Sequence, residues 1–304
     1  MKDAIKQKFN RPSITAPILV LAVLIGLQMS RIAVKNVSSD TNIFVTMGVI
    51  QLCVLALPCI LYYLLKAKKL ATPVMLISAK GGKLLFLIFA AVFFVSGMLL
   101  IKYFYYITGG GTATLVSIYG DFSGSVGEYS HLEIALALIV IPAVCEEFLF
   151  RGVIMSEYGV YGSTNAIIVS AICFAMLHFS PENMFVYLFS GLLFGFVTAV
   201  TRSIIPSTVL HIMSNFLAIY GSDVFLRVTV KKSGEFFMGF VLIAIVGIAF
   251  VLMLSRVESI CYDYAVSPPV TSVPPKSADN WPRVFFSPAF LLLIAVFICF
   301  TLLV

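Results

Sequence analysis

The chain has 304 residues, 61% of them hydrophobic and 11% charged, with a mean hydropathy of +1.06. Water-soluble domains carry about 25% charged residues, so this composition excludes an ordinary soluble domain and indicates a membrane protein. The formal net charge of +6 comes with neither an arginine-rich stripe nor an RNA-binding motif, which argues against nucleic acid as a partner and for attraction to a membrane surface.

A helix needs about 20 apolar residues to cross roughly 30 Å of hydrocarbon. Runs suited to this recur at Ile14–Ser30, Ile43–Leu65, Leu84–Ile107, Leu132–Met155, Thr164–Phe179, Met184–Val200, Ile204–Tyr220, Phe236–Leu254 and Phe285–Val304. The fifth and sixth are short, so the expected fold is all-α, a polytopic membrane helical bundle of eight or nine transmembrane helices forming one domain over residues 1–304.

The first run follows Lys2, Lys6, Lys8 and Arg11 without a small-x-small cleavage pattern after it, which reads as an uncleaved anchor. With the N-terminus inside, most of the twenty Lys and Arg fall on the cytoplasmic side, among them Lys66, Lys68, Lys69, Lys80, Lys83, Arg202 and Arg256. The expectation is a multi-pass plasma-membrane protein with a cytoplasmic N-terminus, and the short loops suit a bacterial membrane. Between the third and fourth runs, Thr108–Ser130 with Gly109-Gly-Gly111 reads as a flexible outer loop. Residues 256–284, containing Ser267-Pro-Pro-Val-Thr-Ser-Val-Pro-Pro275, read as a Pro-rich cytoplasmic linker before the last helix. Five of the six cysteines lie within apolar runs and none makes a C-x-x-C pair, so neither a disulfide framework nor a thiolate metal cage is indicated.

The fourth run carries Cys145-Glu-Glu-Phe-Leu-Phe-Arg-Gly152. A charge at helix centre in a bilayer costs roughly 2.5 to 3.5 kcal/mol, so three in six residues require partners or a task. Glu147 and Arg151 are four apart, share a helix face and can pair. Glu146 is turned by about 100° from Glu147, and a carboxylate left in a low-dielectric cavity is suited to exchanging protons with water. A structural ion-pair patch near the headgroups would account for the same string.

Two of only three histidines stand downstream, His178 in Phe174-Ala-Met-Leu-His178 and His211 in His211-Ile-Met-Ser-Asn215. Asn215 shares the face of His211. At 1.5 Å per residue, and with the fourth helix ending near Met155, Glu146 lies about 14 Å from the inner boundary, His211 about 10 Å and His178 about 20 Å. The mismatch for His178 predicts that its helix starts outside the hydrocarbon or tilts strongly. Glu182, Asn183 and His131 read as loop or interface residues. Gly191, Gly195 and Ala199 form a small face on the sixth helix, which close helix packing explains.

In this order, Glu146-Glu-x-x-x-Arg151, Phe174-x-x-x-His178 and His211-x-x-x-Asn215 resemble the three motifs of the CPBP family. That family contains the type II CAAX prenyl endopeptidases, related bacterial intramembrane proteases, and bacteriocin-processing or immunity proteins. The resemblance covers residues 132–220 and implies a catalytic core there. It implies that Glu146 and His178 bind and polarise a water, with Glu146 as general base, and that Glu147 and Arg151 hold the helix and tune Glu146. His211 and Asn215 would then donate hydrogen bonds to the oxyanion of a tetrahedral intermediate. Zinc is the alternative, with Glu146, His178 and His211 as ligands. The H-E-x-x-H arrangement is absent, and Asn215 and Arg151 already have roles in the metal-free scheme, so glutamate-activated water without a cofactor is favoured.

The expected activity is hydrolysis of peptide bonds in a membrane-associated peptide or protein tail, reached from the cytoplasmic side. A non-proteolytic scaffold or immunity-type protein that binds another membrane enzyme is one alternative. A proton-coupled transporter is another, motivated by charged and imidazole groups at membrane depth; the lack of paired broken helices weakens it.

Overall fold

The computed structural model describes residues 12–34, 42–66, 83–110, 130–221, 235–266 and 284–303. Nine helical segments and no strand occur among these described residues. They are α1 (Pro12–Val34), α2 (Ile43–Lys66), α3 (Leu84–Tyr105), α4 (131–161), α5 (Ser163–Leu177), α6 (Met184–Thr201), α7 (Ile204–Phe216), α8 (Glu235–Val266) and α9 (Pro288–Leu303). The chain is thus an all-α polytopic bundle. α1, α2, α3, α6, α7 and α8, with the turns that extend them, are long and apolar enough to cross a membrane; α5 and α9 are apolar but shorter. α4 is set apart by its charges, Glu133, Glu146, Glu147, Arg151 and Glu157.

Short polar side chains mark several starts. Asn42 accepts from the backbone N–H groups of Phe44 and Val45 at α2, Ser203 accepts from Ile205 at α7, and Ser130 with Glu133 forms a capping box at α4. Each satisfies backbone donors that the first helical turn leaves open, worth about 1 kcal/mol. Asn42 also donates to Glu133 Oε1 at 3.0 Å, which ties the start of α2 to the start of α4.

α4 occupies the centre, in contact with α1, α2, α5, α6 and α7, while α8 packs along α3 and α9 along α1. It is not a regular α-helix throughout: Ala135–Val140 and Phe148–Ile154 are wound as wider π turns. Carbonyls within these turns receive side chains from neighbouring helices. Gln51 donates to Ala137 O at 3.4 Å, Asn215 to Ile139 O at 3.3 Å and Ser170 to Phe150 O at 3.0 Å. Without water in the hydrocarbon, backbone groups loosened from a helix need such partners.

Glu157, near the end of α4, is buried and accepts from Tyr62 Oη at 2.8 Å and Lys66 Nζ at 3.0 Å. Both donors also reach Thr15 Oγ1, so one polar knot joins α1, α2 and α4.

Two boundaries differ from the sequence expectation. α8 runs on to Val266, so residues 256–266 are helical and not linker. The Pro-rich stretch 267–275 lies outside the described residues, as do most of the glycine loop, 111–129, and the N-terminal residues 1–11. α4 likewise continues beyond Met155, through Met155–Tyr158 and a 3-10 turn at Gly159–Tyr161.

Candidate active site

The longer α4 removes the depth mismatch. α4 and α5 form a hairpin about Gly162, whose φ of 97° permits a reversal that an L side chain would strain. Glu146 and His178 stand equally far from Gly162 along the two arms, so antiparallel helices bring them to one level. Glu146 lies at the midpoint of α4, equidistant from His131 and Tyr161.

Around Glu146 the three sequence motifs converge. His178 Nε2 and His211 Nε2 each stand 3.9 Å from Glu146 Oε2. That oxygen is buried and makes no hydrogen bond. The Glu146 side chain is 11% exposed and that of His178 21%, against 3% for His211 and 0% for Glu147. Glu146 and His178 are therefore the members of the group nearest to an opening.

The outward-facing nitrogens have defined partners. His178 Nδ1 lies 2.9 Å from the Phe174 carbonyl, one helical turn back. His211 Nδ1 lies 3.0 Å from Glu147 Oε1. A carbonyl or carboxylate oxygen opposite Nδ1 assigns the proton to Nδ1 in the neutral ring, which leaves Nε2 as an acceptor. Three lone pairs, Glu146 Oε2 and two Nε2, then face one small space. Such a set calls for protons or a cation.

Glu147 and Arg151 pair within one face of α4, as their spacing predicts: Arg151 Nη1 donates to Glu147 Oε1 at 2.7 Å. Arg151 Nη2 donates to the Gly191 carbonyl of α6 at 3.0 Å. The guanidinium carbon is 4.7 Å from the Phe174 ring centroid and 5.3 Å from that of Phe194, a placement in which the ring faces offset part of the cost of burying the cation. Phe194 also stacks on His211, with centroids 5.2 Å apart.

Asn215 is placed differently from the rest. Its amide donates to Ile139 O on α4, one turn along α7 from His211. Glu182 is exposed in the connection after α5, and Asn183 donates to Ser180 Oγ at 3.0 Å. His131, also exposed, has Tyr220 Oη 3.5 Å from its Nδ1. Both regions lie apart from the Glu146 group in the way their sequence setting suggests.

Sequence reasoning missed Tyr187 and Phe194, whose rings stack on His178 and His211, and it read Gly191 only as a packing residue. Aromatic residues in an apolar helix carry no local signal that separates a ring touching a histidine from one touching lipid. For Gly191 the helix-packing reading holds, since a Cβ there would lie 2.8 Å from Ala171 Cα, and the same close approach exposes its carbonyl to Arg151.

Tetrahedral zinc with bonds of about 2.0–2.1 Å holds its ligands about 3.3 Å apart. Both histidine nitrogens are 3.9 Å from Glu146 Oε2, and no cluster of three His, Cys, Asp or Glu among the described residues has metal-site geometry. As arranged, these residues do not fit a zinc shell.

Residues 129–217 match the family model described as Rce1-like, type II CAAX prenyl endopeptidase Rce1-like. Over that segment the chain is similar to the Rce1-like family. The match takes in α4 to α7 and every motif residue named above, and it agrees with the resemblance to the CPBP family. α1, α2, α3, α8 and α9 lie outside the Rce1-like segment. No curated protein and no solved structure matches the chain. The six helices long and apolar enough to cross a membrane, together with this similarity, point to a multi-pass membrane protein.

Proposed function

We propose that the protein is an intramembrane endopeptidase in which Glu146, without a metal, activates a water to hydrolyse a peptide bond of a membrane-associated peptide or protein tail. The observation that carries this reading is the buried Glu146 Oε2, free of hydrogen bonds and faced by two imidazole nitrogens at 3.9 Å. A polar contact longer than about 3.5 Å leaves room for a bridging water, and a water supplies protons to two of these groups.

In this mechanism the water donates one hydrogen to Glu146 and the other to His178 Nε2. Its oxygen attacks the scissile carbonyl carbon while Glu146 takes the proton, and the carbonyl electron pair moves to oxygen. In this reading His211 enters the cycle already carrying a proton on each ring nitrogen, taken from solvent before attack and balanced by Glu147 beside Nδ1; its Nε2–H donates to that oxyanion and is not transferred. Asn215 keeps a second amide hydrogen beside the one given to Ile139, and the reading assigns it to the same oxyanion. Donors fixed in advance of reaction are worth about 3 to 4 kcal/mol each in comparable sites. As the intermediate collapses, Glu146 passes its proton to the departing amine nitrogen and the C–N bond breaks.

The test is proteomic comparison of membranes holding the wild type and Glu146→Gln at equal abundance. Loss of a general base costs about 100-fold to 10,000-fold, so substrates should accumulate uncleaved in the variant. Equal cleavage in both membranes removes Glu146 from the base role. Full biological activity of the Gln variant would instead favour a scaffold.

A further inference from the structure

Tyr187, in the second turn of α6, lies flat against His178: the ring centroids are 3.8 Å apart and the planes inclined by 23°. The tyrosine is buried. The Phe174 ring lies 4.8 Å from the imidazole centroid, tilted by 58°, and His178 Nδ1 is 2.9 Å from the Phe174 carbonyl. His178 follows the last residue of α5, and the next residue, Phe179, has φ of 46°, a left-handed conformation that costs a non-glycine residue about 1 kcal/mol or more. The chain thus turns out of α5 directly after His178, and besides the Phe174 contacts a ring from another helix packs on the imidazole.

We propose that Tyr187 is a positioning residue for His178. Its ring face fixes the imidazole plane so that Nε2 stays aimed at Glu146 Oε2. The one hydrogen bond at Nδ1 leaves rotation about the N–O axis open, and stacking against a flat face closes it. The assignment rests on the endopeptidase reading for its catalytic meaning, while the stack itself is measurable without it.

The experiment uses the full chain in detergent micelles. With only three histidines in the sequence, selective isotope labelling of histidine gives a resolved imidazole spectrum, and His178→Gln assigns its signals. The wild type should show His178 as the Nδ1–H tautomer with ring protons shifted upfield by the tyrosine face. An unshifted wild-type signal overturns the proposal even if no variant folds. Tyr187→Leu should abolish the upfield shift, and Tyr187→Phe should keep it.

Turnover is then read on a substrate obtained from the comparison of wild-type and Glu146→Gln membranes. Tyr187→Leu should lower kcat by about 100-fold, the scale of a misplaced reacting group, with KM unchanged, and Tyr187→Phe should restore kcat. A Leu variant with wild-type kcat, a rise in KM alone, or a Phe variant as impaired as Leu overturns the positioning role. If wild type and Glu146→Gln cleave nothing differently, the endopeptidase reading fails instead, and with it any catalytic use of Tyr187, whether or not the ring shift is present.

Discussion

Glu147 Oε1 lies 3.0 Å from His211 Nδ1 and at the same time 2.7 Å from Arg151 Nη1. A single carboxylate oxygen therefore joins α4 to α7, sets the tautomer of one imidazole and neutralises a guanidinium. Glu147 is fully buried and Arg151 nearly so. Neighbouring carboxylates on one helix thus have separate neighbours, Glu147 Oε1 meeting Arg151 and His211 Nδ1 while Glu146 Oε2 faces the two Nε2 atoms.

This arrangement separates stability from catalysis. Glu147→Gln leaves the Arg151 cation buried without its counter-charge, a loss of about 3 to 5 kcal/mol. Replacing both members by apolar residues of similar volume, Glu147→Leu with Arg151→Met, should recover most of that stability, since a buried pair is often no more stabilising than well-packed hydrocarbon. Turnover should stay low in the double variant, because His211 has lost the group that orients it. Thermal unfolding in detergent and cleavage rate, measured on the same preparations, check both halves; recovered activity in the double variant would show that His211 needs no carboxylate.

Gly191 supplies a second prediction. A methyl group there meets the Ala171 backbone at 2.8 Å, whereas one at Gly195 meets the flexible Cγ2 of Ile167 at 3.1 Å. Gly191→Ala should therefore lower stability by about 1 to 3 kcal/mol, as overpacking does, and Gly195→Ala by less. Because Arg151 bonds to the Gly191 carbonyl, pushing α6 from α5 should also reduce turnover. A thermal shift and a cleavage assay on both variants provide the comparison.

Metal removal gives a third. The 3.9 Å separations around Glu146 Oε2 are too wide for a tetrahedral zinc shell, so dialysis against a chelator should leave cleavage unchanged. Elemental analysis of the purified protein should find less than one zinc per chain. Stoichiometric zinc, with activity lost on removal and regained on addition, would replace the glutamate-only scheme with metal-assisted hydrolysis.

Much of this protein is written in local sequence. Mean hydropathy and the spacing of apolar runs determine an all-α membrane bundle, because in hydrocarbon every backbone polar group must be bonded within its own segment. The i, i+4 spacing of Glu147 and Arg151 determines their pairing, since helix geometry alone puts them on one face. The three motifs also mark the stretch that matches the Rce1-like family model.

The end of α4 was not legible. The sequence reading ends the fourth helix near Met155, yet the helix continues, with Tyr62, Lys66 and Thr15 on two other helices forming the polar knot around Glu157. That extension brings His178 level with Glu146. Likewise, no spacing rule indicates that Tyr187 faces His178, that Phe194 faces His211, or that Asn215 bonds to a π-turn carbonyl of α4. Sequence periodicity specifies which side of one helix a residue occupies. Which groups meet across helices depends on the length, rotation and winding of both partners, and those are settled only when side chains such as Arg151, Gly191 and Glu157 find their partners in the packed bundle.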